Sequence, residues 1–392
     1  MSPPADAVSG LHVLTLSPFF PSRQNEVNGC FIAEPIAQLQ QFGVESSVIA
    51  VSPLYRPQKQ TSASAAAEWV RYPQVPGIVG LSSAGKLLYA RLLGTVRKLH
   101  RRKPIDVIHA HGALPCGGAS ALLARRLGIP FVVTLHGLDV FNTCFHGGVA
   151  AHWRRQASTA VYRDARTVIC ISERVQQILR DGMAAGVRSA VVYNGTDTEL
   201  FSPGSLAHVP PEKEILMVGN LIESKGQELV LRALARMGIR FLSLRCQIIG
   251  EGPDRVRLEA LASELGIGPR VRFLGRQGRA AVADALRACS VFALPSRNEG
   301  LGCVYLEAMA CGKPVIACRG QGIEEIIEHG KNGWLIPVGG LEELAQGLAT
   351  LLESTGVSSR MGIAARETIL NGLTLSDQAQ RLASIYRAAA VD

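Results

Sequence analysis

Short aliphatic runs alternate with helix-patterned segments along nearly the whole chain, and this alternation restricts the fold more than any other feature. In the first half the runs stand at 11–17, 46–52, 105–110, 130–135, 166–172 and 190–193, with helical spacing over 30–43, 116–127 and 173–184. The pattern restarts at Glu214-Ile-Leu-Met-Val-Gly219 and continues through runs at 244–249, 270–274, 290–294, 314–318 and 333–336. Strands that each lead into a helix must be joined to parallel neighbours by crossovers, which builds a parallel sheet covered on both faces. Two starts of the pattern predict an α/β protein of two doubly wound domains, 1–200 and 201–374, with a closing helix over 375–392. The linker is expected near 200–213, where Phe201-Ser-Pro-Gly and His208-Val-Pro-Pro interrupt regular structure. Thr61–Ala67, small and polar, reads as a mobile loop. Ligands of such domains sit at the C-terminal ends of the strands.

Composition removes several other classes. A chain of 392 residues that is 47% hydrophobic and 19% charged is globular, not disordered, and can bury two cores. No run of eighteen apolar residues suggests a membrane-spanning helix, and Met1–Gly10 has no basic residue and no long apolar block, so no secretory leader is expected. The nine cysteines are an odd count with no C-x-x-C, most of them inside apolar runs. They predict a reducing, cytoplasmic setting, without a disulfide frame or structural zinc. Residues 1–200 carry 20 Lys and Arg against 12 Asp and Glu, whereas residues 201–392 carry 21 against 20, so the basic excess lies in the first half. Much of it falls at 86–103 (Lys86, Arg91, Arg97, Lys98, Arg101, Arg102, Lys103), interleaved with Leu88, Leu92, Leu93, Val96 and Leu99 at helical spacing. Two readings stand: a solvated helix face, or peripheral contact with an anionic membrane surface on its inner, cytoplasmic side. Nucleic acid is not expected, since aromatic interleaving and reading motifs are missing.

The segment Pro295–Ala317 carries most of the chemical information. A helix start at Gly300-Leu301-Gly302 offers unpaired main-chain N–H groups and a positive dipole end, suited to phosphate. Glu299 precedes it, and Glu307 follows about five residues into the helix, roughly 7–8 Å along its axis. That offset matches a ligand with a sugar at one end, phosphates between, and a ribose beyond. Glu299 and Glu307, with Pro295-Ser before them and Pro314-Val-Ile-Ala after, resemble the E-x7-E motif of retaining glycosyltransferases of the GT-B fold, family four (group 1).

The resemblance extends over nearly the whole chain. It implies two Rossmann-like domains facing across a cleft, an acceptor-side first domain, a nucleotide-sugar-binding second domain, and a last helix that crosses back to the first. Val218-Gly-Asn-Leu-Ile-Glu-Ser-Lys-Gly226 resembles the family's G-R-L-x-x-x-K-G turn. Lys225 then neutralises the leaving diphosphate, and Asn220 stands where the family has arginine. Ile248-Ile-Gly-Glu-Gly-Pro253 resembles the turn lining the nucleotide cleft through Gly250 and Glu251, and Arg276 ends the strand that meets the base. His136 in Leu135-His-Gly-Leu-Asp139 matches the H-G-x-D that contacts the donor sugar, while Asp139 orients that loop or meets the acceptor. In the loop after the first strand, Gly29 permits close approach to the donor, and Arg23 is a candidate for an anionic acceptor. Asn194 and Asp197 of Tyr193-Asn-Gly-Thr-Asp197 read as structural. His109 and His111 share a face at a strand end, but no third ligand has matching spacing, so no metal and no cofactor are expected.

The catalytic set is therefore His136, Glu299 and Lys225. The donor set is Gly29, Asn220, Gly250, Glu251, Arg276, Gly300, Leu301, Gly302 and Glu307. The implied activity is transfer of a sugar, with retention, from a UDP- or GDP-sugar to a saccharide or lipid-linked saccharide in glycan or polysaccharide biosynthesis. A nucleotide-sugar epimerase, or an inactive nucleotide-sugar-binding partner subunit made conceivable by Asn220, are the alternatives.

Overall fold

Seven parallel strands form the sheet of the first unit, which comprises Met1–Tyr193 and Ser376–Asp392. The computed structural model describes residues 10–22, 25–55, 67–76, 78–144, 148–204 and 213–391. Along the chain run β1 (Leu11–Ser17), α1 (Cys30–Gln38), β2 (Val44–Pro53), β3 (Ala67–Tyr72), α2 (Ile78–Arg102), β4 (Val107–His111), α3 (Gly118–Leu127), β5 (Phe131–Leu135), α4 (Leu138–Cys144), α5 (Val149–Asp164), β6 (Thr167–Cys170), α6 (Glu173–Gly182) and β7 (Ser189–Val191). The strand order is β3-β2-β1-β4-β5-β6-β7. The winding reverses between β1 and β4, which pair from Val13 with Val107 to Leu16 with Ala110. β4, β5 and β6 are buried along their whole length, which explains why they read as continuous apolar runs instead of alternating ones.

The second unit, Asn194–Leu375, repeats the plan. It contains β8 (Glu214–Val218), α7 (Gln227–Arg236), β9 (Arg245–Ile249), α8 (Arg255–Glu264), β10 (Val271–Gly275), α9 (Arg279–Ala288), β11 (Val291–Ala293), α10 (Cys303–Ala310), β12 (Val315–Cys318), β13 (Trp334–Ile336), α11 (Leu341–Glu353) and α12 (Thr355–Leu370). Its parallel strands stand in the order β10-β9-β8-β11-β12-β13, so the reversal falls between β8 and β11. The chain then re-enters the first unit as α13 (Leu375–Val391), whose Ala379, Leu382, Ala383, Tyr386 and Ala389 pack with Val13, Val44, Val107, Val132 and Ile169 of that sheet.

Three local features depart from the sequence reading. The units divide between Tyr193 and Asn194, not near 200, because Thr196 donates its N–H to Leu373 O (2.9 Å) and bridges Thr374, tying the Asn194–Asp197 turn to the second unit. Most of the expected linker, 205–212, lies outside the described residues, as do 61–66 of the expected loop. Ala67 opens β3, an edge strand pairing with β2 from Val48 with Ala67 to Pro53 with Tyr72. Its half-exposed Glu-Trp-Val-Arg pattern hides it from an apolar-run criterion. In α2, Leu88, Leu92 and Val96 are wholly buried. Those three positions are covered by protein, whereas Leu93 and Leu99 of the same stripe are half-buried.

Candidate active site

In the second unit the predicted donor residues gather at the C-terminal strand ends around the switch point. Lys225 lies on a short turn after β8, and Glu299 lies on the loop after the neighbouring β11. The Lys225 ammonium donates to Glu299 Oε2, with the two side chains only 23% and 15% exposed, so this pair is better shielded from screening than a surface one. The Lys225 N–H bonds Ile222 O at 2.9 Å, and the Arg297 N–H bonds Ser224 O at 2.7 Å, which joins the two loops through their main chains. Gln321, after β12, accepts the Glu299 N–H at 2.9 Å. α10 starts at Cys303 with Gly302 as its N-cap (φ 84°). A side chain at Gly302 would strike the Tyr305 ring at 2.6 Å, so only glycine lets the helix end come level with Glu299. Gly300 and Leu301 are buried beneath this turn.

Glu307 sits on the first turns of α10 and receives Arg279 Nη1 at 2.9 Å, with side chains 12% and 15% exposed. Burial pushes the Glu307 carboxyl up, and the Arg279 charge opposes that shift. The Arg279 guanidinium also lies 4.9 Å from the Phe201 ring centre, a cation–π contact. Arg279 and Gln321 were not picked out from the sequence. One signal for Arg279 was available: a cation at the first residue of a helix opposes the dipole and needs another partner. Asn220 and Arg276 are exposed beyond β8 and β10. Gly250 packs against Gly219, and Glu251 pairs with Arg255 at 2.6 Å. Asp197 Oδ1 accepts the N–H groups of Glu199 and Leu200, each at 3.0 Å, which is a turn-closing role.

In the first unit Gly29 caps α1 against the Phe19 backbone, while Arg23 lies outside the described residues. His136 follows β5, its Nε2 bonded to His111 Nδ1 at 3.0 Å and its ring edge-on to Phe31 at 5.0 Å. His109 is bonded at both nitrogens, to Thr134 Oγ1 and to the Tyr386 hydroxyl, each at 2.7 Å. Asp139 accepts the Val140 N–H at 3.1 Å and further amides of the same loop, so it holds the His136 turn in place.

Burial keeps these rings neutral: His109 is lowered to about 3 and His136 to about 4, with His111 well below its ordinary value. The unfolded chain regains normal imidazole affinity, near 6.5, so acid protonates the unfolded state first and stability falls as pH drops from about 6.5 to about 4. Asp139, raised by burial to about 6, works in the opposite direction, binding its proton in the folded state before the unfolded one. Three rings outweigh one carboxyl, and melting temperatures recorded from pH 7 to pH 4.5 should decline. A rise across that range would contradict neutral burial of the cluster.

Two doubly wound units with a cation–carboxylate pair at the second switch point can now be set beside known proteins. The pattern of the family "Glycosyl transferases group 1" matches residues 201–368, and that of "Glycosyltransferase Family 4" matches residues 31–200. A D-inositol 3-phosphate glycosyltransferase of Catenulispora acidiphila is 30% identical over 321 residues, 76% of either chain. The chain is a group 1 glycosyltransferase.

Solved members of this fold cover almost all of the glycosyltransferase. Sucrose-phosphate synthase from Thermosynechococcus elongatus superposes with a TM-score of 0.78 at 21% identity, covering 96% of this chain and 98% of its own. The Anabaena protein HepE in complex with UDP-glucose gives 0.75 at 22%, covering 96% and 100%. At these identities the likeness concerns the fold, two Rossmann-like domains of the GT-B type.

Proposed function

We propose that this glycosyltransferase moves a sugar, with retention at the anomeric carbon, from a nucleotide diphosphate sugar to a saccharide or lipid-linked saccharide in glycan biosynthesis. The observation that carries this reading is the Lys225–Glu299 pair, set on neighbouring strand ends beside the α10 N-terminus. A diphosphate docked there meets one ammonium group and main-chain amides at a helix N-terminus, while the carboxylate next to it accepts sugar hydroxyls. As the bond from anomeric carbon to phosphate oxygen lengthens, charge grows on the diphosphate, and Lys225, Asn220 and the helix-end amides stabilise it. The acceptor hydroxyl attacks the same face, its proton passing to the departing phosphate oxygen. A neutral His136 hydrogen-bonds the donor sugar without placing a positive charge beside an oxocarbenium-like centre. Glu307, fixed by Arg279, holds the ribose, with Gly250, Glu251 and Arg276 on the nucleotide side; Gly29 is assigned to the donor, and Arg23 and Asp139 to acceptor recognition.

UDP is the first donor base to test, supported by the UDP-glucose complex of the structural relative HepE, with GDP next. The nine free cysteines, most of them buried, support a reducing cytoplasmic setting. A thermal-shift panel of UDP, GDP, ADP and their sugars should select one base, after which donor consumption with and without acceptor identifies transfer. Glu307→Ala should weaken nucleotide binding by about 10–100-fold, the worth of a charged hydrogen bond. Glu299→Gln should keep nucleotide affinity and lose turnover. Intact affinity in the first variant, or normal turnover in the second, removes the corresponding assignment.

A further inference from the structure

Tyr386 is wholly buried on α13 among Val, Ala and Leu side chains, and phenylalanine would fill the same space with no hydroxyl to satisfy. Its hydroxyl instead meets His109 Nδ1 at 2.7 Å. With the O–H donating there, the His109 proton lies on Nε2 and is donated to Thr134 Oγ1, also at 2.7 Å. The ring is thereby held at both ends. Its face lies 4.2 Å, centre to centre, from His111, which in turn stacks on His136 at 5.2 Å with 19° between planes and bonds it at 3.0 Å. His111 Nε2 and His136 Nδ1 are buried without a hydrogen-bond partner among the described residues. The His111–His136 bond therefore has two proton arrangements, and local packing decides between them.

We propose that Tyr386 is a positioning residue: through His109 and His111 it sets the orientation and tautomer of His136 from the C-terminal helix. The proposal rests on the sugar-contact reading of His136. It assigns the last helix a part in the reaction besides closing the core, because a wholly buried hydroxyl on that helix addresses the histidine stack.

The test is kinetic and spectroscopic, on the full-length chain with the donor selected by the panel. Tyr386→Phe should lower kcat by about three- to tenfold, the worth of one hydrogen bond, leave the donor KM unchanged, and shift the imidazole 15N signals of both His109 and His136. Thr134→Val removes the other anchor of His109 and should reproduce the pattern, which keeps the idea testable should the first variant fold poorly. Tyr386→Phe combined with His136→Asn should be no slower than His136→Asn alone. Wild-type kcat with unmoved His136 signals in both single variants, or additive losses in the double variant, overturns the relay. His136→Asn with full turnover overturns the sugar-contact reading and the relay together, whereas an impaired His136→Asn beside an unimpaired Tyr386→Phe overturns the relay alone.

Discussion

Lys225→Ala should reduce turnover by about 10²–10³-fold, the scale set by removing one preorganised donor from a developing anion. Two effects combine. In the proposed reaction the leaving diphosphate would lose an ammonium group, and Glu299 loses the cation paired with it. A largely shielded carboxylate then faces the incoming phosphates, so donor KM should rise as kcat falls. Adding Glu299→Gln to Lys225→Ala removes that repulsion and should recover part of the donor binding, but not the turnover. Lys225→Arg keeps the charge and should retain more activity than alanine. Steady-state kinetics on these three variants and the wild type decide the matter, and near-normal kcat in Lys225→Ala would end the assignment of the leaving-group electrophile.

The second large effect is structural. At Gly250 (φ 144°) an added Cβ would lie 1.9 Å from the Gly219 carbonyl oxygen and 2.8 Å from its carbon. Both are main-chain atoms with no side-chain freedom to move aside. The loops concerned are stitched together, since Gly219 N–H bonds Ile249 O and Gly250 N–H bonds Gly275 O, each at 2.9 Å. Gly250→Ala must push the β8–α7 loop, and Lys225 with it, off the sheet. A loss above about 4 kcal/mol is expected, in the range reserved for mutations with an identifiable severe cause. Gly238→Ala is the matched control: its φ is 64° but nothing lies within 4 Å, so only the left-handed backbone cost of about 1–2 kcal/mol applies. Equal melting of the two variants would show that the close approach at Gly250 does not hold these loops together.

The two halves of the fold were legible because β1, β4, β5 and β8 are buried on both faces and their apolar runs announce themselves locally. β3 was not, since an edge strand with Glu68 and Arg71 has no such run. The same contrast holds in the site. Glycine turns, Lys225 and the Glu299–Glu307 spacing are short-range signals that a linear reading can find. Their partners are not: Glu299 is 74 positions from Lys225, and Tyr386 is 277 from His109.

The sequence by itself determined a parallel α/β chain with two starts, and a glycine-opened helix start bracketed by two carboxylates, because hydrophobic period and turn chemistry act over a few residues. Only the tertiary structure decided that Lys225 meets Glu299, that Arg279 locks Glu307, and that a tyrosine from the last helix reaches the histidine stack. Those meetings depend on strand order and helix docking, which follow from burial summed over a whole unit and leave no mark at any one position.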